Sequence, residues 1–196
     1  MVKLIQMKNF KCFDYLSLPL SELTILAGGN AAGKSTVIQA LLLAYATARE
    51  KGDFVDASEA LGVAVGGPKA LISQNRTETL DGDFLFQVQW NETKVKFVYK
   101  IDKLASLKLS YSQSEQAPAS QLLYLNAERV GPRISYPAGM DEDILNNGAN
   151  AAFLIDRADM QQRKVPDCLA LSGVGSKFSI QVESWMTAIL GNINFS

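Results

Sequence analysis

No histidine occurs anywhere in the 196 residues. That absence excludes Ser-His-Asp and Cys-His nucleophilic triads within the chain, and any His-ligated metal site. Catalysis has to run on lysine, carboxylates, hydroxyls and a bound metal. Cysteine is scarce too: Cys12 and Cys168 lie far apart with no C-x-x-C spacing. This argues against zinc or a redox dithiol and reads as two reduced thiols of a cytosolic protein. Long apolar runs are missing. The longest uncharged apolar stretch, Thr36 to Ala48, is broken by Gln39 and is too short to span a bilayer. Met1 to Lys8 alternates and carries charge early, which is not the pattern of a signal peptide. The expectation is a cytoplasmic chain with no membrane partner. Internal repeats and low-complexity segments are absent. So is any excess of charge of one sign. A net charge of −1 gives no global pull towards nucleic acid, although residues 1–51 hold six basic residues against three acidic ones.

What is present is an ordinary globular composition, 47% hydrophobic and 20% charged, with a length that suits one domain or part of a larger one. One motif stands out. Gly28-Gly29-Asn30-Ala31-Ala32-Gly33-Lys34-Ser35-Thr36 fits G-x-x-x-x-G-K-[ST] without a gap. Leu23 to Ala27 before it is a β-branched, apolar run that reads as a buried strand. Val37 to Ala48 after it is Ala/Leu-rich and reads as a helix ending near Gly52. Strand, glycine loop and helix together make a phosphate site. Backbone N–H groups of the loop and first helical turn are unpaired there, and the helix dipole adds partial positive charge. Gly28 and Gly33 permit a tight turn and close approach of backbone to phosphate. Lys34 can reach the β- and γ-phosphates, and the Ser35 hydroxyl can ligate Mg²⁺.

The rest of the chain supplies the context. Val2 to Phe10 alternates as a half-buried strand, and Tyr15 to Leu20 reads as a second extended segment with Pro19 at an edge or strand end. Residues 53–82, punctuated by Gly62, Gly66-Gly67-Pro68 and Asp81-Gly82, read as loops with at most one short helix. Phe84 to Trp90 and Lys94 to Ile101 alternate about a turn at Asn91-Glu92, a β-hairpin pattern, and Leu107 to Tyr111 reads as a third strand of that sheet. The lysines Lys94, Lys96 and Lys100 read as a solvated sheet face. Ser114 to Ser120 is a polar linker, Leu122 to Leu125 a short buried strand, and Asp141 to Ile155 and Ser179 to Leu190 helices. A P-loop helix followed by antiparallel hairpins departs from the βαβαβ alternation of nucleotide kinases and small GTPases. No Asn-Lys-x-Asp element for guanine is present either.

Three short segments carry a resemblance. Asn9-Phe10-Lys11-Cys12-Phe13, then Leu26 to Thr36 with Asn30 two residues after the first loop glycine, resembles the opening of the SMC/RecF/OLD-like branch of ABC-type ATPases. Tyr124 to Arg133, containing Glu128-Arg129-Val130-Gly131-Pro132-Arg133, is similar to a motif of prokaryotic ATPases of this branch found in anti-phage systems of the Septu and retron-associated type. The resemblance implies an α/β fold: a P-loop NTPase of ABC/SMC-head type with an antiparallel β lobe. Residues 1–52 would form strands, P-loop and helix, residues 83–112 the β lobe, and residues 121–196 a core strand and helices. It implies ATP and Mg²⁺ as cofactors. Two heads would sandwich two ATP molecules, and hydrolysis would open them. By motif, Gly28, Gly29, Asn30, Ala31, Ala32, Gly33, Lys34, Ser35 and Thr36 hold the phosphates, Ser35 holds Mg²⁺, and Lys11 and Cys12 lie near the nucleotide. An effector such as a nuclease is an implied partner, and DNA is a further one that the charge does not indicate.

The resemblance is incomplete. Where such heads place a glutamine, this chain has Asn126-Ala127-Glu128-Arg129. Glu128 or Arg129 takes over part of that role, or the two serve a structural ion pair; both readings stay open. Leu171-Ser172-Gly173-Val174-Gly175 superficially resembles a signature motif but reads as a loop, because no hydrophobic strand ending in Asp-Glu follows it. Phe153-Leu154-Ile155-Asp156 has the Walker B shape, but Arg157 stands where the Glu would be and the run reads as helix. The expectation is the N-terminal part of a longer head, with Lys34 and Glu128 as its catalytic candidates. The other reading is an ATP-binding module that recruits an effector without hydrolysis.

Overall fold

In the computed structural model, residues 1–49, 54–55, 59–60, 63–74, 83–101, 107–112, 122–127 and 144–191 are described. The chain divides into two compact units, Met1–Leu122 and Leu123–Ser196. The elements of the first are β1 (Val2–Phe10), β2 (Phe13–Pro19), α1 (Lys34–Arg49), β3 (Phe54–Val55), β4 (Glu59–Ala60), β5 (Val63–Ala64), a 3₁₀ turn (Pro68–Leu71), β6 (Phe84–Trp90), β7 (Thr93–Ile101) and β8 (Leu107–Ser112). The second contains α2 (Ala151–Met160) and α3 (Phe178–Leu190).

The alternating segments of the sequence become one antiparallel sheet in the order β2-β1-β6-β7-β8-β3, with β4 and β5 pairing apart from it. Period-two patterning sends one set of side chains inward. Ile5, Met7, Phe84, Phe86, Val88, Phe97 and Tyr99 are buried on that face. Rings of Phe10, Phe84, Phe86 and Tyr99 pack edge-on and stacked, with Phe10–Phe86 centroids 4.8 Å and Phe84–Tyr99 centroids 4.7 Å apart. Asn91, with φ of 51°, makes the tight β6–β7 turn expected at Asn91-Glu92. Pro19 ends β2, which is an edge strand, where a missing N–H leaves no ladder bond unmade.

Helix α1 covers the inner face. Its alanines and leucines favour helix, and Val37, Ala40, Leu43, Ala44 and Thr47 form a buried stripe at helical spacing. Thr47 Oγ1 donates to Leu43 O at 2.7 Å and shares a 2.8 Å hydrogen bond with the Tyr99 hydroxyl. This buried pair fastens helix to sheet. Arg49 lies in the last turn, where the helix dipole favours a cation.

The expected strand over Leu23 to Ala27 does not form. The segment lies outside every strand, and Leu23 and Ile25 are 77% and 78% exposed. A run of strand-forming residues becomes a strand only where a neighbour completes its ladder. No described residue pairs with this one. The same holds for Leu122 to Leu125, which is described without a strand, with Leu123 61% exposed. The helix expected over Asp141 to Ile155 is shifted. Residues 144–150 make turns around Gly148 (φ 71°), and α2 begins only at Ala151. Residues 141–143 lie outside the described residues.

Within the second unit, Asp159 near the end of α2 accepts hydrogen bonds from Ser179 N at 3.1 Å and Ser179 Oγ at 2.5 Å. The residue preceding α3 offers no side-chain cap, so Asp159 supplies one from α2. The bond from the Ser179 hydroxyl, above the other contributions, holds its carboxyl below the usual carboxylate range.

Candidate phosphate-binding site

Residues 28–36 lie where β1, β2 and α1 meet. Gly28 (φ 151°), Ala31 (φ 62°) and Gly33 (φ 86°) turn the backbone through the left-handed region, which winds the loop tightly before the helix. Helix α1 starts at Lys34, and Val37 N donates to Gly33 O at 3.2 Å. The N–H groups of Lys34, Ser35 and Thr36 precede that first bond, so they face outward from the helix start with its dipole behind them.

Gly33 is the closest-packed point. A Cβ there would lie 2.5 Å from Phe13 Cζ and 2.9 Å from Cys12 Sγ. The loop is thus braced against Cys12 of the β1–β2 turn and Phe13 at the start of β2. Cys12 Sγ also reaches Thr36 Oγ1 at 3.7 Å, and Thr36 is buried while Ser35 is exposed. Lys34 Nζ donates to Gly28 O at 2.8 Å and Gly29 O at 2.6 Å. Its ammonium is therefore held over the loop that the motif assigns to phosphate. Asn30, Ala31 and Ala32 are exposed along the rim.

Lys11 is placed differently from its neighbour. Its φ of 51° turns the chain between β1 and β2, and Nζ donates to Gln39 Oε1 at 2.6 Å and Val65 O at 2.5 Å. Its backbone N–H donates to Leu71 O at 2.8 Å, and Ser73 N donates to Asn9 O at 2.8 Å. The Lys11 side chain is thus a clip between α1 and the Val65–Ser73 segment, one residue from Cys12 at the loop. Burial pushes its ammonium below the usual lysine range, with the neighbouring Cys12 thiol acting the other way. Replacing it by methionine keeps the apolar stem and removes two charge-assisted bonds. Lys11→Met is expected to cost about 1–2 kcal/mol in urea unfolding. It should also speed amide exchange at residues 70–73. Unchanged exchange there would show that Lys11 does not hold the segment.

Sequence reasoning missed Gln39 and Phe13. Neither carries a local signal, since each acquires its role from a residue distant in the chain. Glu128 and Arg129 lie outside the described residues. Phe153 to Asp156 is helical, within α2. Leu171 to Gly175 is a loop, held by Gln181: Leu171 N donates to Gln181 Oε1 at 2.8 Å, and Gln181 Nε2 donates to Gly175 O at 3.1 Å. Among the described residues no group of three His, Cys, Asp or Glu could hold a metal ion. A Mg²⁺ ion here would depend on the Ser35 hydroxyl and on phosphate oxygens. The exposed Ser35, the outward N–H groups and the side-chain-free Gly33 fit a nucleoside triphosphate with its metal.

A family model of the AAA ATPase domain matches residues 1–129, a span that contains the loop, α1 and the sheet. The chain belongs to the AAA ATPase domain family. It is accordingly a P-loop ATPase domain of α/β type. A stretch of 41 residues is 46% identical to the OLD nuclease of Thermus scotoductus (strain ATCC 700910 / SA-01). That stretch covers 21% of this chain and 8% of the relative. No solved structure matches the chain. No helix among the described residues is long and apolar enough to cross a membrane.

Proposed function

We propose that this AAA ATPase domain is the N-terminal part of an ABC-type head of the SMC/RecF/OLD-like branch. It binds ATP at Gly28–Thr36 and serves a DNA-repair or anti-phage defence protein as a nucleotide-gated dimer. One observation carries the reading: the loop is braced on the Lys11–Phe13 turn through Gly33. The Asn-Phe-Lys opening and the P-loop thereby form a single site. The similarity to an OLD nuclease supports the branch and a nuclease as effector. Lys34 neutralises γ-phosphate charge, the loop N–H groups orient the phosphates, and Ser35 holds Mg²⁺. The Ser35 hydroxyl would hold a Mg²⁺ ion beside the loop, and the ion would supply positive charge against the phosphates. Cys12 lines the approach from the β1–β2 turn, where the Lys11 backbone passes while its side chain turns to Gln39 and Val65. Glu128 or Arg129 would take part of the water-orienting role, the alternative being a structural ion pair between them.

A second reading is an ATP-binding module whose output is recruitment of an effector. It is favoured by α2, where the Walker B-like run is helical and Arg157 follows Asp156. Calorimetry with Mg-ATP and a phosphate-release assay on the 196-residue chain separate the two. Binding with release only after an added partner or further residues supports the ATPase head. Binding that never leads to release supports the module. Robust release by the chain alone would place a catalytic base within it and overturn the incomplete-head reading. No binding at all would sink both.

A further inference from the structure

The face of the large sheet opposite α1 has a composition that the solvated-face expectation does not explain. Backbone register sets its rows: Ser17, Gln6, Gln87 and Lys96 lie side by side, as do Pro19, Leu4, Gln89 and Lys94, and Tyr15, Lys8, Leu85 and Val98. Lys100 continues the β7 column and pairs in register with Lys108 of β8. The chain as a whole holds 19 basic and 20 acidic residues. An ordinary solvated face mixes both signs. These rows contain lysines, glutamines and apolar residues and no carboxylate.

The acids at the rim are engaged elsewhere. Glu92, at the β6–β7 turn, pairs with Lys3 at 3.2 Å. Asp83, opposite the end of β7, accepts from Ile101 N at 2.8 Å. Asp14 shares a small hollow with Lys8 and Tyr15, so the β7 lysines carry most of the charge. Among the described residues, Lys94, Lys96 and Lys100 take part in no salt bridge. Lysines on sheets often guard an edge against pairing with another chain. That explanation fails here, because β7 lies between β6 and β8.

The same face carries an aromatic. Tyr15 is 54% exposed, and Lys8 Nζ sits 5.6 Å from its ring centre. Gln6 Nε2 donates to the Tyr15 hydroxyl at 3.2 Å and to Ser17 Oγ at 3.1 Å, which fixes the ring on the surface. Lys94 and Lys96 stand about 7 Å apart on β7 and Lys100 about 13 Å further along it, beyond Val98, a line of positive charge that suits an extended polyanion. A sheet face with a line of lysines and an exposed ring has the parts of a single-strand platform: charge for the backbone and a π-face for a base. Glutamines between the lysines offer amide donors to phosphate or sugar oxygens without adding charge.

We propose that this sheet face binds the sugar–phosphate backbone of single-stranded nucleic acid without sequence preference, with Lys94, Lys96 and Lys100 on phosphates and Tyr15 beneath a base. The proposal stands apart from the ATP reading, because none of these residues belongs to the P-loop.

The test is fluorescence anisotropy of a labelled thirty-nucleotide oligothymidine with the 196-residue chain across a salt series. The variant Lys94→Glu/Lys96→Glu/Lys100→Glu is expected to bind at least tenfold more weakly. Its slope of log affinity on log salt should be shallower by about 2, since each single-strand phosphate contact contributes about 0.7. Tyr15→Ala should weaken binding by about tenfold and leave the salt slope unchanged, because stacking carries no charge. Arg163→Glu/Lys164→Glu/Lys177→Glu alters the net charge equally on the other unit and should bind as the parent does. Should the glutamate variant fail to fold, Lys94→Gln/Lys100→Gln is read in its place, with a slope change of more than 1 expected. No binding by the parent, or equal loss in the sheet and control variants, overturns the proposal. ATP affinity measured on the same variants reports separately on the P-loop.

Discussion

Lys34→Ala is expected to weaken Mg-ATP binding about 100-fold or more. The side chain is half-buried, and its ammonium is already collected at the loop by Gly28 O and Gly29 O. Binding a phosphate there replaces weak carbonyl partners with a full negative charge. Truncating one partner of a hydrogen-bonded charge pair costs about 2–5 kcal/mol, and about 1.4 kcal/mol corresponds to tenfold. The folded state should lose far less, because the two carbonyls can turn to water. A change below about 1 kcal/mol in unfolding free energy is expected, as for other sites at the surface. The two readouts must diverge. An unchanged ATP affinity in a folded variant would mean that the loop is not the phosphate site.

The second large effect concerns Gly33. Alanine at this position meets two obstacles that differ in kind. Its φ of 86° disfavours any Cβ, at about 1–2 kcal/mol. Its Cβ would also lie 2.5 Å from Phe13 Cζ and 2.8 Å from Cε2. Overpacking of that sort costs about 1–3 kcal/mol. Together they should lower the melting temperature by about 4–20 °C in a chain of this size. Where the Phe13 ring does not swing aside, the loop escapes the clash by moving away from it, which misaligns the N–H groups that precede Val37. ATP binding should therefore fall with stability. Two companions sharpen the result. Gly29→Ala, with nothing within 4 Å of the new Cβ, should be close to neutral for stability. Gly33→Ala/Phe13→Ala should relieve the contact and leave the backbone strain, so its binding should recover only in part. Equal melting temperatures for Gly33→Ala and Gly29→Ala would show that the brace on Phe13 does not exist.

Both predictions concern residues that the linear motif names, yet only one magnitude follows from the motif. The role of Lys34 comes from its place after Gly33 at a helix start. The cost at Gly33 depends on Phe13, twenty positions away, and no spacing rule brings the two together. Lys11 makes the same point. The motif sets it beside Cys12 near the nucleotide, but the fold gives its ammonium to Gln39 and Val65. The backbone passes the site while the side chain turns from it.

What the sequence determined by itself was everything governed by local periodicity and local backbone chemistry. The alternation of Val2 to Phe10 and of Phe84 to Ile101, the turn at Asn91, the helix after Gly33 and the phosphate loop were all legible. Each depends on neighbours within a few residues, where geometry repeats every 2 or 3.6 positions. The tertiary structure alone decided which extended runs became strands. Leu23 to Ala27 has the residues of a buried strand and lies exposed outside any sheet. A strand exists only when another backbone supplies its hydrogen bonds, and a run of β-branched residues cannot say whether that partner is at hand. Which face of the sheet holds the lysines, and what braces Gly33, are likewise properties of the register between segments up to 90 residues apart, as in the bond from the Met1 amino group to Asn91 Oδ1.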